Sequence, residues 1–433
     1  MNPEDTTISV ERKKIIIRPD PQRVICQYHN LGKGEVITRV IERILALPEQ
    51  EVKALWQQIS DGFDHRHRRF EEILQDNYER VAAFIPEAEN LTGKRKLVIG
   101  AYFSKEYSIE SAALFNPSIV PHPDQYRSPD GGEDYRFILS LRATGEGHIS
   151  SLEFATGTIT ALGEIHVDPV GKRAEIPKEV KYPAKNGEPV EVRFDVDCPI
   201  SERVIFPITD DESNGIEDFR FVRFIEDDGK PIYYGTYTAY NGKAITSKLI
   251  ETTDFASFRM HKLKGKTVRD KGMALFPRKI NGRYAMISRQ DGENLRLMYS
   301  EDILKWEKSQ LLQIPGQSWE FIKLGNCGSP LETDAGWLLL MHGVGAVRQY
   351  SIGVMLLDRD DPTKIIGRLK EPLLSPTEDE REGYVPNVVY SCGGTIHNGK
   401  LIIPYAMSDF ANSFALVDLD ALLSELTSGR ARG

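Results

Sequence analysis

The stretch NGIEDFRFVRF, residues 214–224, places two adjacent carboxylates, Glu217 and Asp218, after a glycine. Arg220 follows, then the alternating run Phe221, Val222, Arg223, Phe224. Alternation of this kind marks a β-strand, and a period of two puts Asp218 and Arg220 on one face and Glu217 on the other. A carboxyl group at a strand mouth beside an arginine suits proton transfer to or from a bound molecule. The same residues also suit a solvated hairpin end with a surface ion pair. The rest of the chain has to decide between these readings.

Elements able to position such a group change character along the chain. Before residue 100 the apolar spacing is helical. Ile37, Val40, Ile41, Ile44 and Leu45 share one face, and Pro48 stands where a second helix would begin. Val52, Leu55, Trp56 and Ile59 form the stripe of that helix, and Phe70, Leu74, Tyr78 and Val81 that of a third. His65 and His67 are two apart, which on a helix points them in different directions. They read as part of a charged helix face, not as a metal site.

From about residue 100 the chain reads as strands, in a repeated pattern of strand, short turn, strand. The second strands of four units begin near Ile232, Arg283, Trp337 and Leu401. A period of that size in all-β sequence predicts a propeller with one four-stranded blade per repeat. Five units predict five blades. Two units carry a Ser/Thr-Asp turn followed by an aromatic residue, in ETTDFASFR and YSEDILKWE. The expected architecture is therefore an all-β, five-bladed β-propeller over 100–433, with a mainly helical extension over 1–99. First strands of propeller blades line the axis, so Asn116, Asp218, Lys271, Ser329 and Asp409 are expected around one polar funnel.

Composition narrows the partners. Asp plus Glu (64) outnumber Lys plus Arg (55), which disfavours nucleic acid or an anionic membrane as the main partner. No apolar run approaches the roughly 18 residues of a membrane span, and the start of the sequence lacks the apolar stretch of a signal peptide. Cys26, Cys198, Cys327 and Cys392 form no C-x-x-C pair and read as reduced thiols in a cytoplasmic protein. No metal site is expected.

The motifs FNPSIV, GIEDFR, ALFPRKINGRYAMISR, GWLLLMHGV, YSIGVMLLDRDDPTKIIGR and YAMSD resemble, in that order, those of glycoside hydrolase family 130. The resemblance runs from about 100 to 425. It implies a five-bladed propeller acting on β-mannosides, as an inverting phosphorylase or, in some branches, as a hydrolase. It implies that Asp218 is the general acid, protonating the glycosidic oxygen through the mannose 3-hydroxyl while phosphate attacks the anomeric carbon from the opposite face. Phe219 stands where the family pattern has Pro. Arg220 would orient Asp218 or the sugar. Lys271, Arg289 and His342, with Tyr350 nearby, match the family's phosphate-binding positions, although Gly272 replaces the usual Asp after Lys271. Asn116, Arg142 and Asp409 match positions that bind the mannosyl unit. Gly343, beside His342, would leave room for a close backbone approach. His148 suits either the sugar pocket or a blade edge.

Phosphorolysis needs one protonated acid, whose pKa burial or Glu217 would raise, and a cationic cradle for a dianion. An inverting hydrolase needs a second carboxylate about 6.5–9.5 Å from the acid. Glu217, Glu320, Glu378, Asp379 and Glu380 are candidates, and none is marked out by position. The expected function is an inverting β-mannoside phosphorylase that releases α-mannose 1-phosphate. It would use inorganic phosphate as co-substrate and no cofactor. A β-mannosidase and a non-catalytic carbohydrate-binding propeller are the alternatives. Helical extensions often mediate self-association, so a homo-oligomer is expected.

Overall fold

A computed structural model describes residues 8–86, 90–125, 134–185 and 187–428. The chain divides into two compact units, one of Asp20–Ile109 with Gly171–Ile176, the other of Met1–Pro19, Glu110–Val170 and Pro177–Gly433.

The first unit is built on helices Gly34–Leu45, Glu49–Phe63, Phe70–Val81 and Gly93–Tyr102. Their apolar stripes make its core: Ile37, Ile41, Ile44, Val52, Trp56, Leu74 and Val81 are buried together. Pro48 is the N-cap of the second helix, one residue earlier than its spacing predicts. Gly100 lets two helices touch, because a Cβ there would lie 1.9 Å from the Leu74 carbonyl oxygen. The expectation for His65 and His67 fails. A 3-10 turn over Asp64–Arg66 ends the helix, and His67 is extended and buried. Its Nε2 lies 2.9 Å from Glu106 Oε1. The turn breaks the helical face the spacing implied.

The second unit is mostly β. Among its described residues, five antiparallel sheets succeed one another along the chain. They begin with strands Ala113–Pro121, Ile216–Ile225, Ala274–Leu275, Lys323–Asn326 and Val389–Tyr390. The hairpin strands that follow in the last four are Pro231–Tyr240, Tyr284–Ser288, Gly336–Val344 and Lys400–Met407, at the expected spacing. The last sheet takes a strand from the far end of the chain, Val10–Arg12 beside Ala411–Asp418. The two turn-plus-aromatic motifs are anchors. Asp254 Oδ1 accepts the N–H groups of Ala256 and Ser257 at 2.8 Å and sets Phe255 in the core. Asp302 does the same for Leu304, with Trp306 fully buried. The four cysteines are free and buried. Among the described residues, no helix is long and apolar enough to cross a membrane.

Candidate active site

Two β-bulges shape the site. The pairing of Ala113–Pro121 with its neighbour slips between Phe115 and Ser118, and that of Ile216–Ile225 slips between Glu217 and Arg220. The residues inside the slips, Asn116 (φ 53°) and Asp218 (φ 55°), take the left-handed conformation that Asn and Asp tolerate best. Phe219, where the family pattern has proline, stacks on Tyr237 at 4.4 Å and packs the bulge against the core. The bulge overturns the expected alternation. Glu217 and Asp218 face the same guanidinium, and Glu217 and Arg220, opposite Thr238 and Thr236, share one face of the sheet.

That guanidinium belongs to Arg142. It donates to Glu217 Oε1 at 2.9 Å, Asp218 Oδ1 at 3.2 Å and Ser150 Oγ at 2.9 Å. Asn116 Nδ2 donates to the same Asp218 oxygen at 2.7 Å, and Lys271 Nζ reaches Glu217 Oε2 at 2.5 Å. Burial pushes the Asp218 carboxyl up, but Arg142, Arg220, Lys271 and the Asn116 bond outweigh it and hold it at about 2. The expected upward shift is therefore reversed in the free protein, because the cations lie closer to Asp218 than the expectation allowed.

Arg289 and His342 line the same cavity. Arg289 NH1 lies 3.2 Å from His342 Nε2, and its Nε 3.5 Å from Asp270 Oδ2. His342 Nδ1 lies 3.2 Å from the Asn326 carbonyl oxygen. A guanidinium only donates, so His342 Nε2 accepts, and Nδ1–H donates to Asn326. Burial first, then Arg289 and Arg220, hold the imidazole well below its ordinary pKa. His342 is thus neutral: it aims Arg289 and adds no charge. Space for its ring comes from Gly325, where a Cβ would lie 2.2 Å from His342 Cε1. Gly343 instead makes room for the Trp319 ring, 2.5 Å from its Cβ position.

Asn116, Arg142, Asp218, Lys271, Arg289, His342, Tyr350 and Asp409 line one cavity of about 400 Å³. Ser329 lines a different one. Arg220 lines neither: it is buried beneath, donating to the Tyr390 hydroxyl at 2.6 Å and to the Asn326 carbonyl at 3.5 Å. His148 bonds the Tyr384 hydroxyl at 2.9 Å and is not among the lining residues. Four of the candidate bases are elsewhere. Glu320 and Glu380 cap 3-10 turns, bonded to Arg368 and to Tyr405 respectively. Glu378 and Asp379 are exposed on the second turn. Glu217 stays at the site but is held by two cations. Asn326 and the lining residues Asp270, Lys323, Arg348 and Tyr390 escaped the sequence reading. Only Asp270, next to Lys271, carried a signal of position. Among the described residues, no three His, Cys, Asp or Glu side chains come together to hold a metal ion.

The remaining cavity carboxylate, Asp409, is pushed up to about 6, chiefly by burial. A pKa above the unfolded value stabilises the fold in acid, and that share is lost as pH rises through about 6. Asp409→Asn, which keeps the shape without the charge, should therefore gain stability relative to wild type on going from pH 4 to pH 7. Thermal unfolding across that range measures it, and a constant difference between the two proteins would refute the assignment.

A β-sheet protein whose polar cavity brings carboxylates together with an arginine aimed by a neutral histidine is built to act on a small polar molecule together with an anion. A family model described as β-1,4-mannooligosaccharide phosphorylase matches residues 185–427, and the chain belongs to this family, glycoside hydrolase family 130. It is 34% identical over 216 residues to the 1,2-β-oligomannan phosphorylase of Thermoanaerobacter sp. (strain X514), covering 49% of this chain and 71% of that one. It is 28% identical over 323 residues to the β-1,2-mannobiose phosphorylase of the same organism, covering 72% and 93%. The fold is shared with the β-1,2-mannobiose phosphorylase of Listeria innocua, with a TM-score of 0.52 at 18% identity over 73% of this chain and 92% of that one.

Proposed function

We infer that the protein is an inverting β-mannoside phosphorylase, cleaving its substrate with inorganic phosphate to give α-mannose 1-phosphate. The observation that carries this reading is the cavity that brings Asp218 together with the Arg289–His342 pair. A phosphate oxygen forms the new bond at the anomeric carbon as the glycosidic C–O bond breaks. The leaving oxygen takes a proton that Asp218 supplies through the mannose 3-hydroxyl. Asn116, Arg142 and Asp409 bind the mannosyl unit. Lys271, Arg289, His342 and Tyr350 hold phosphate, and Arg220, from beneath, fixes the floor through Tyr390. The five sheets are read as the blades of a five-bladed propeller and residues 100–433 as the catalytic domain. A cytoplasmic location belongs to the same reading, because phosphorolysis draws on intracellular phosphate.

In the free protein Asp218 is ionised, and a general acid must start protonated. Arrival of a phosphate dianion supplies the correction, since its charge cancels the field of the cations that hold the pKa down.

Hydrolysis would need a base, and of the cavity carboxylates only Asp409, with its pKa near 6, suits that task. Initial rates on a panel of β-mannosides, with and without phosphate, separate the two. The phosphorylase requires phosphate and releases a sugar phosphate. Equal turnover without phosphate would replace this reading with the hydrolase.

A further inference from the structure

The two bulges differ in what stands against them. In each, two residues of the bulged strand face one residue of the neighbouring strand. Asn116 and Pro117 lie opposite Leu141, and Asp218 and Phe219 lie opposite Tyr237. A proline ring locks its own φ, so the first bulge is restrained from within. Phe219 has no such lock, and the left-handed conformation of Asp218 beside it (φ 55°) is one that surrounding structure must hold. Leu141 brings only apolar packing to its bulge. Tyr237 brings a ring that stacks on Phe219 at 4.4 Å, with the planes 10° apart and both side chains buried.

Tyr237 is itself fixed by a buried polar cluster outside the cavity. Its hydroxyl, kept protonated by burial first and then by Glu212, donates to Glu212 Oε1 at 2.9 Å. The same oxygen accepts from Lys248 Nζ at 2.9 Å. Glu212 Oε2 accepts the N–H groups of Ile208 at 2.9 Å and Thr209 at 3.1 Å. Lys248 Nζ also donates to Asp211 Oδ1 at 2.7 Å and Thr209 Oγ1 at 2.8 Å. Glu212 and Lys248 are both buried, and a buried charge pair whose hydrogen bonds are satisfied is rigid. The main chain joins the same anchor to the bulged strand. The Glu212 carbonyl accepts the Gly215 N–H at 2.6 Å, one residue before Ile216–Ile225 begins. One residue thus fixes both strands at the slip.

We propose that Tyr237, held by Glu212 and Lys248, is a positioning residue for Asp218: its ring clamps the bulge through Phe219 and keeps the carboxyl group on Arg142 and Asn116. The proposal rests on the phosphorylase reading in that Asp218 is the acid. Tyr237 is not among the residues that line the cavity, so it acts on the chemistry through its neighbour and not by touching substrate.

Tyr237→Leu and Phe219→Leu each remove the stack from one side, and Glu212 keeps Lys248 as partner in both. Initial rates are measured well below the lowest melting temperature of the set, so that lost stability does not enter. Each variant should lower kcat by about tenfold to a hundredfold, the upper figure being the cost of a displacement of about 1 Å in a reacting group. The phosphate KM should hold, because no phosphate-binding residue is touched. The double variant should lose little more than either single one, since both remove the same contact. Tyr237→Phe keeps the ring and should retain most of the wild-type kcat. Wild-type kcat in both leucine variants, a loss confined to KM, or a loss in Tyr237→Phe equal to that in Tyr237→Leu would overturn the proposal. With a wild type that requires phosphate, any of these leaves the phosphorylase reading standing. A wild type that turns over equally without phosphate would overturn that reading, and the ratio of variant to wild-type kcat would still decide the role of Tyr237.

Discussion

Replacing Asp218 by asparagine should lower kcat by at least about a thousandfold, within the range that a positioned acid contributes. Asparagine has the same shape, and its side chain can still bond Asn116 and meet Arg142. Arg142 keeps Glu217 as partner, so no buried cation is stranded and the fold should survive. An unchanged melting temperature checks that point. The wild-type pH profile carries the companion result. The acid works only when protonated, so activity falls as pH rises through its pKa. With both substrates bound, that pKa should stand well above the value of about 2 in the free protein. Near-normal turnover of the variant would remove Asp218 from the chemistry.

Replacing Arg289 by alanine should raise the phosphate KM by about tenfold for each 1.4 kcal/mol of binding lost, and by more than one such step. Its Nε faces Asp270 at 3.5 Å and its NH1 meets His342 at 3.2 Å, so the guanidinium is held in place at the cavity it lines. The variant also strands Asp270 and leaves His342 Nε2 without a donor. The mannoside KM should change much less, because Asn116 and Arg142 bond Asp218 and make no contact with Arg289 that the substitution would remove. Initial rates with each substrate varied in turn measure the split. An unchanged phosphate KM would end the role given to Arg289.

The strands and their repeat were legible because a period of two needs no knowledge of the neighbouring strand. Asp218 stood out as a carboxylate at a strand mouth, whereas Arg289 and His342 were reached only through the family resemblance; the three line one cavity. The bulges were not legible, since a slip between Glu217 and Arg220 exists only relative to the partner strand. One extra residue brought Glu217 and Arg220, expected on opposite faces, to the same face. The charge of His342 was hidden for a similar reason. Its neutrality follows from burial and from a carbonyl and a guanidinium that come from other strands. Arg348 was hidden because it projects from a hairpin loop, which carries no periodicity. His67 was misread because nothing in DHRHRR announces that the helix stops there.

The pairing of Val10–Arg12 with Ala411–Asp418 has a consequence for the order of assembly. Lys13 and Ser413, bonded beside this seam, are 400 positions apart. During synthesis the strand Val10–Arg12 has no partner until Ala411–Asp418 has been made, because domains assemble as their segments emerge. The sheet it completes also carries Tyr390 and, in its last hairpin turn, Asp409. A nascent chain therefore holds Asp218 and Arg289 before it holds Tyr390 and Asp409, which line the same cavity. The sheet that carries these last two is complete only when the two distant segments pair.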